Sequence, residues 1–245
     1  MSPRIAVQLY TLRDEPEPQL RATLARLASI GYEGVETAGF WGLEPARFRK
    51  CCDEAGLEIA AAHSPLVHGD AALETCQRLA RAGIDAWVIP MLEAPCFGNL
   101  GSLEAAAAQL AALLEVAQAQ GVTLGYHNHE WEFEQRIDGV PAHHVLFEAL
   151  DPAIFAEIDV YWAQVGGVDP AEEIARLGRR ATLLHLKDGP ASDSEAPMTA
   201  LGQGRVDLPR VLRCSQAEWH ILEIDRCEGD VWDAIEASAA YLAAQ

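Results

Sequence analysis

Residues 125–133 read GYHNHEWEF and place His127, His129, Glu130 and Glu132 within nine positions. Imidazoles and carboxylates so close together can hold a metal ion, pass protons or simply solvate a loop. Three further stretches carry the same residue types: Asp159 in EIDVYW, His185 and Lys187 in LLHLKD, and Glu223 and Asp225 in LEID. Each falls at the end of an apolar run. Residues i and i+2 of a strand share a face, so His127 with His129, His185 with Lys187, and Glu223 with Asp225 point the same way where the strand continues that far. Taken singly, each has an ordinary structural reading. A strand-end carboxylate often caps a helix, and a core histidine needs only a hydrogen-bond partner. A histidine, an aspartate and a glutamate on three late strands can instead converge on one ion. Two carboxylates with one or two imidazoles suit Mn, Zn, Co or Fe better than Ca or Mg, which prefer all-oxygen shells. Glu157, two residues before Asp159 and so on the same inward face, has no evident role in the sequence.

The elements that must position these residues alternate along the chain. Apolar runs at 5–10, 34–37, 57–63, 86–91, 122–127, 154–160, 182–187 and 219–225 read as strands. Between them, helical spacing covers residues near 17–30, 45–55, 70–82, 102–120, 141–150, 169–178, 207–214 and 230–243. Gly31, Gly56, Gly83, Gly121 and Gly178 follow helical runs, where left-handed caps are expected. Ser102, Asp169-Pro170 and Asp207 read as helix starts. Eight such units in 245 residues match a single (β/α)8 TIM barrel spanning 1–245. An open doubly wound sheet would carry a glycine fingerprint after its first strand, and QLYTLRDEPEP has no glycine. In a barrel, chemistry sits at the C-terminal ends of the strands. That is where Glu36, His63, His127, His129, Asp159, His185, Lys187, Glu223 and Asp225 fall.

Composition narrows the partners. The chain has 18 basic and 37 acidic residues, a net charge of −19, which disfavours nucleic acid and anionic membranes. No apolar run long enough for a membrane span and no signal-peptide pattern are evident. The six cysteines lack CxxC spacing and read as reduced thiols of a cytoplasmic protein. No GxSxG or HExxH motif occurs, so a serine triad and a zincin protease are not expected.

VQLYTLR, GYEGVE, YHNHEWEF, DVYWAQVGG, HLKD and LGQGRVDL, in this order, resemble the xylose isomerase-like TIM barrel superfamily, and within it the sugar phosphate isomerase/epimerase group and its HNH-bearing branch. The resemblance spans essentially the whole chain. It implies one divalent ion (Mn, Zn, Co or Mg) at the barrel mouth, with Asp159, His185 and Glu223 filling three ligand positions. The fourth position, on strand five, is a glutamate in the family and His127 here; His127, His129 or Glu132 could each serve. The substitution removes one of the two opposed glutamates that the family's epimerases use. It also leaves a less negative shell, making a bound ion a stronger Lewis acid. Glu223, His129 and Lys187 are then the candidate catalytic groups, His129 on the expectation of an ordinary imidazole pKa near ~6.5.

Glu36, His63, Glu132, Trp162 and Arg226 are candidate substrate contacts, with Trp131 and Phe40-Trp41 as further pocket walls. The expected function is a metal-dependent isomerase or epimerase of a small sugar, sugar phosphate or polyol. A dehydratase acting on an inosose-like or keto-sugar substrate is the alternative, and a non-catalytic sugar-binding barrel is the alternative from another class. The resemblance also carries an expectation of a homo-oligomer.

Overall fold

A computed structural model describes residues 3–15 and 19–245. In chain order the elements are β1 (Arg4–Gln8), α1 (Leu20–Ile30), β2 (Gly34–Ala38), α2 (Pro45–Ala55), β3 (Glu58–His63), α3 (Asp70–Arg81), β4 (Ala86–Ile89), α4 (Leu100–Ala119) and β5 (Thr123–His127). A short α5 (Trp131–Glu134) and a hairpin of β6 (Arg136–Ile137) and β7 (Val140–Pro141) lead into α6 (Ala142–Ala149). The chain continues through β8 (Phe155–Asp159), α7 (Val160–Val165), α8 (Pro170–Leu177), β9 (Ala181–Leu186), α9 (Leu208–Cys214), β10 (Trp219–Leu222) and α10 (Val231–Ala243). Eight parallel strands close in the order β1-β10-β9-β8-β5-β4-β3-β2, so the barrel runs around in sequence order with helices outside it.

The expected alternation is present, with differences that have local causes. The first strand stops at Gln8 because residues Leu9–Leu12 form a 3-10 turn, whose Tyr10 N–H is capped by the Gln8 side chain. The fourth helix starts before Ser102: Asn99 is its cap, accepting from the Ser102 N–H. Gly31 and Gly56 close their helices in the left-handed conformation, whereas Gly178 combines φ 54° with ψ −127° and forms no such cap. The first helix was expected from residue 17; residues 17 and 18 lie outside the described residues. The short α5, α7 and the β6–β7 hairpin have too few turns or residues to show a period in sequence.

Strand side chains alternate between the helices and the barrel axis. Outward residues such as Val7, Val35, Trp87, Leu124, Tyr126, Ile158, Leu184 and Leu222 join the apolar layer beneath the helices. Against the expectation of no apolar run long enough for a membrane span, α4 is long and apolar enough by composition alone to cross one, because its alanines and leucines run on past the buried face. Here its Leu103, Leu110, Leu113 and Leu114 stripe is buried, and the helix contacts α3 and α6.

Inward residues form two storeys. Ala6, Ala61, Val88, Phe155, Leu183, Trp219 and Ile221 make an apolar plug at the N-terminal end. Phe155 fills the axis against Gly125, where any Cβ would sit 2.3 Å from the ring. One strand repeat further on, the inward residues become Gln8, Glu36, His63, His127, Glu157 and His185, all buried or nearly so.

Candidate active site

Four donor groups converge at the C-terminal end of the barrel. His127 ends β5, Asp159 ends β8, His185 lies on β9, and Glu223 directly follows β10. One donor atom from each lies within 4.8 Å of all the others. His185 Nδ1 is 2.9 Å from Glu223 Oε2, and His127 Nε2 is 3.7 Å from Asp159 Oδ2. Asp159 does two jobs at once. Its Oδ1 accepts from the N–H groups of Tyr161 and Trp162 and caps α7, while Oδ2 is buried without an aligned hydrogen bond. The helix start thus fixes the carboxylate and leaves one oxygen aimed at the cluster.

Lys187 reaches into the same space. Its Nζ lies 2.9 Å from Asp159 Oδ2, 2.7 Å from Glu223 Oε2 and 2.6 Å from Asp225 Oδ2, and it is 5.2 Å from the Trp162 ring. Burial would discharge the ammonium, but Asp159, Asp225 and Glu223 outweigh it and hold its pKa well above the usual lysine range. The converse applies to Glu223. Burial alone would raise it, yet Lys187 and His185 keep it well below the ordinary carboxylate range. Burial pushes Asp159 up to about 6 against the pull of Lys187.

Below this cluster lies the polar storey. Glu157 Oε2 is 2.6 Å from His63 Nε2, 3.0 Å from His127 Nδ1 and 3.3 Å from His185 Nε2. Glu36 Oε2 is 2.6 Å from His185 Nε2 and accepts from Gln8 Nε2 at 2.8 Å. Burial, then the neighbouring Glu157, pushes Glu36 up to about 7; burial also raises Glu157. His127, crowded by His185 and His63 and fully desolvated, is held neutral.

A cavity of about 530 Å³ opens above the cluster, lined by His127, His129, Glu223 and Asp225 at its polar end and by Phe40, Pro65, Leu79, Pro90 and Met91 further out. Of the expected substrate contacts, His63 lines it, and so does Phe40 among the expected walls. Glu36 is fully buried on His185 and Gln8 beneath the floor, so burial removes it from contact with anything in the cavity. Glu132 is consumed within its own loop: Tyr126 Oη donates to Oε1 at 2.7 Å and the His129 N–H to Oε2 at 3.0 Å, and burial pushes its pKa up to about 8. It is therefore neither a cavity wall nor part of the donor cluster. Trp162 backs Lys187 and His129 from behind. Arg226 lies at a separate surface depression, bonded to the Ser194 carbonyl and Glu195.

His129 lines the cavity with its ring stacked on Trp131 (centroids 4.5 Å, 8° apart) and its Nδ1 buried without a partner. Burial and then the Lys187 charge push its pKa down to about 3, not the ordinary value expected from sequence. It is a neutral imidazole across the working range and a weaker base than an ordinary histidine.

Sequence reasoning did not single out Gln8, Asn128 or Asp188. Asn128, the middle residue of HNH, bonds the Asp159 backbone twice, through Oδ1 to N and Nδ2 to O, and ties the ends of β5 and β8 together. Asp188 accepts backbone N–H bonds from Gly189, Gly202, Gly204 and Val206. The LGQGRVD segment is the loop wrapped around this carboxylate, and a Cβ on Gly204 would lie 2.1 Å from Asp188 Oδ1. The signal was there: a glycine pair one loop after HLKD.

The donor set fits a divalent ion. It is two carboxylates and two imidazoles, with no thiolate, which suits Mn, Zn or Co. Asp159 Oδ2 faces the cluster beside the Lys187 ammonium with no aligned hydrogen bond, and His127 is held neutral, as a ligand must be, whereas an ion would have to displace a proton from His185. Among the described residues, buried Glu36, Glu157, Asp159 and Glu223 face two buried cations, the Lys187 ammonium and the His185 imidazolium; burial alone would lower the His185 pKa, but Glu157, Glu36 and Glu223 hold it well above the usual value. A divalent ion would relieve that excess of negative charge.

The fold has many counterparts. A sugar phosphate isomerase/epimerase from Parabacteroides distasonis ATCC 8503 superposes with TM-score 0.84 at 23% identity, covering 99% of this chain and 94% of its own. D-allulose 3-epimerase from a Methylomonas species, solved with D-allulose, has TM-score 0.73 at 14% identity, covering 99% and 97%. The probable 3-DHS dehydratase involved in petrobactin synthesis in Bacillus anthracis has TM-score 0.75 at 13% identity, covering 98% of each chain. No curated protein matches the chain in sequence. Residues 24–214 match the sequence model of one family, and the closed eight-strand barrel agrees with it: the chain belongs to the xylose isomerase-like TIM barrel family.

Proposed function

We propose that this chain is a divalent-metal-dependent isomerase or epimerase that moves a proton on the carbon beside a carbonyl of a small sugar, sugar phosphate or polyol. The observation that carries the reading is the convergence of His127, Asp159, His185 and Glu223 under an open cavity. These four residues would hold the ion. When bound, it would polarise a carbonyl or hydroxyl oxygen of the substrate and acidify the neighbouring C–H.

The chain's own groups do the rest. Glu223, held anionic by Lys187 and His185 at the polar end of the cavity, is placed to take the proton at its carboxylate. Lys187 stays charged and stabilises the negative charge that develops when the proton leaves. Neutral His129, braced by Trp131 and Trp162, offers Nδ1 as the second proton-transfer or hydrogen-bonding atom. The neighbouring epimerases support this reading. Loss of a β-hydroxyl is the second reading. It is favoured by the asymmetry of the site, a carboxylate on one side and an imidazole on the other, and by the dehydratase among the structural neighbours.

Deuterium uptake from D2O into a panel of keto-sugars and inososes, followed by NMR with Mn, Co or Zn added, tests both. Exchange at the carbon beside the carbonyl, lost in Glu223→Gln, is the expected result, and loss of water from the product selects the second reading. A protein that binds none of these ions and exchanges no proton would leave a non-catalytic sugar-binding barrel in place of an enzyme.

A further inference from the structure

We propose that Glu36 and Glu157 are positioning residues that mount His185 and His127 in opposite senses, so that His185 presents Nδ1 and His127 presents Nε2 to the ligand cluster. This rests on the metal-centred reading above and assigns a role to the carboxylate that sequence left unexplained.

A carboxylate at 0% exposure on the barrel axis is costly unless its oxygens are bonded. Glu157 and Glu36 each turn Oε2 to imidazoles, while the Oε1 of each is buried without a hydrogen-bond partner. His127 turns Nδ1 to Glu157 Oε2 at 3.0 Å and leaves Nε2 facing Asp159 Oδ2. His185 turns Nε2 to Glu36 Oε2 at 2.6 Å and leaves Nδ1 facing Glu223 Oε2. An ionised carboxylate only accepts, so a ring nitrogen that faces one carries a proton; both nitrogens of His185 face carboxylates, and an ion seated beside Glu223 would displace the Nδ1 proton while the Nε2 hydrogen bond to Glu36 stays in place. A bonded outer carboxylate of this kind fixes both tautomer and ring orientation of a ligating histidine.

His63 locks the two mounts together. Its Nε2 is 2.6 Å from Glu157 Oε2 and 3.3 Å from Glu36 Oε2, and its ring stacks on His185 at 5.3 Å, 7° from parallel. Gln8 Nε2 donates to the same Glu36 Oε2 at 2.8 Å. The same groups could instead be read as a second ion site of His63, His127, Glu157 and His185. That site would require His127 Nδ1 and His185 Nε2 to give up the hydrogen bonds that orient them.

The test uses the full native chain. With 15N-histidine labelling and Zn(II) added, long-range proton–nitrogen correlation is expected to show His127 protonated at Nδ1 and His185 at Nε2. The same sense in both rings, or the reverse pattern, would overturn the proposal. In parallel, Co(II) titration followed by its visible absorption is expected to show one ion per chain. The affinity should fall roughly 10- to 100-fold in Glu36→Gln and in Glu157→Gln, with far-UV circular dichroism unchanged. The NMR arm needs no variant, so a variant that fails to fold leaves the proposal exposed to it. Two ions per chain, one of them lost in Glu157→Gln, would replace the proposal with the second site. Native chain that binds neither Zn(II) nor Co(II) would sink the metal reading and this inference together. Unchanged affinity in both variants would sink the inference alone.

Discussion

The two storeys of the barrel interior use the same strands, one repeat apart, and obey opposite rules. In the lower storey Phe155, Leu183, Trp219 and Ile221 fill the axis with apolar volume. Their burial stabilises the barrel without any requirement on direction. In the upper storey, the next inward residues on β8 and β9 are Glu157 and His185, fully buried and polar. Burial there is unfavourable until every oxygen and ring nitrogen finds a partner. The lower storey therefore provides rigidity, and the upper storey uses it to hold a polar constellation in one geometry. Buried carboxylates elsewhere behave differently. Glu173, on α8, is met by His143 and His144 of α6 and by Arg176; burial would raise its pKa, but His143 and Arg176 overcome it and depress the pKa far below the usual range. Asp159 and Glu36, by contrast, are pushed up to about 6 and about 7. At Glu173 the partners outweigh burial; at Asp159 and Glu36 burial outweighs them.

The largest test of this contrast is Glu223→Gln. It neutralises an upper-storey group, and turnover is expected to fall by ~10²–10⁴-fold with the melting temperature nearly kept, read from steady-state rates and a thermal melt. Phe155→Ala should do the opposite. It empties the plug and costs ~3–5 kcal/mol by urea denaturation, while the folded fraction keeps its ion affinity. Asp188→Ala removes the acceptor of four backbone N–H groups. The loop around residues 199–206 should lose hydrogen-exchange protection by ~1–3 kcal/mol, on the scale of leaving buried donors unmet.

Smallest is the pH effect of Glu173. Its pKa is lowered by folding, so its stabilising contribution is fully present above the unfolded value of ~4.3 and is lost as pH falls from there through the lower folded value. Glu173→Gln should therefore lower stability at neutral pH and flatten the acid side of the stability curve. Parallel curves for variant and parent down to the most acid pH would refute the pairing.

The barrel was legible because its signals are local. Apolar runs and helical periods repeat eight times, with turn glycines after several of the helices, and each needs only a few neighbouring residues to be read. The gathering of Asp159, His185 and Glu223 was legible for the same reason, since each lies at or beside the C-terminal end of a strand and strand ends in a barrel meet. Side-chain alternation put Glu157 on the inward face but gave it no partner, because its partners are 94 and 30 residues away, on β3 and β5. Glu36 read as a substrate contact because it ends a strand; only the closed barrel, by setting His185 against it across 149 residues, made it a buried mount instead. The pKa of His129 was beyond any local reading, since Trp131, Trp162 and Lys187 desolvate and oppose it only once three strand ends come together. Sequence by itself determined which groups lie at the barrel mouth, since periodicity sets direction along a strand. Tertiary structure decided which nitrogen, which oxygen and which charge each group presents, because those depend on partners that only closure of the sheet brings within hydrogen-bond reach.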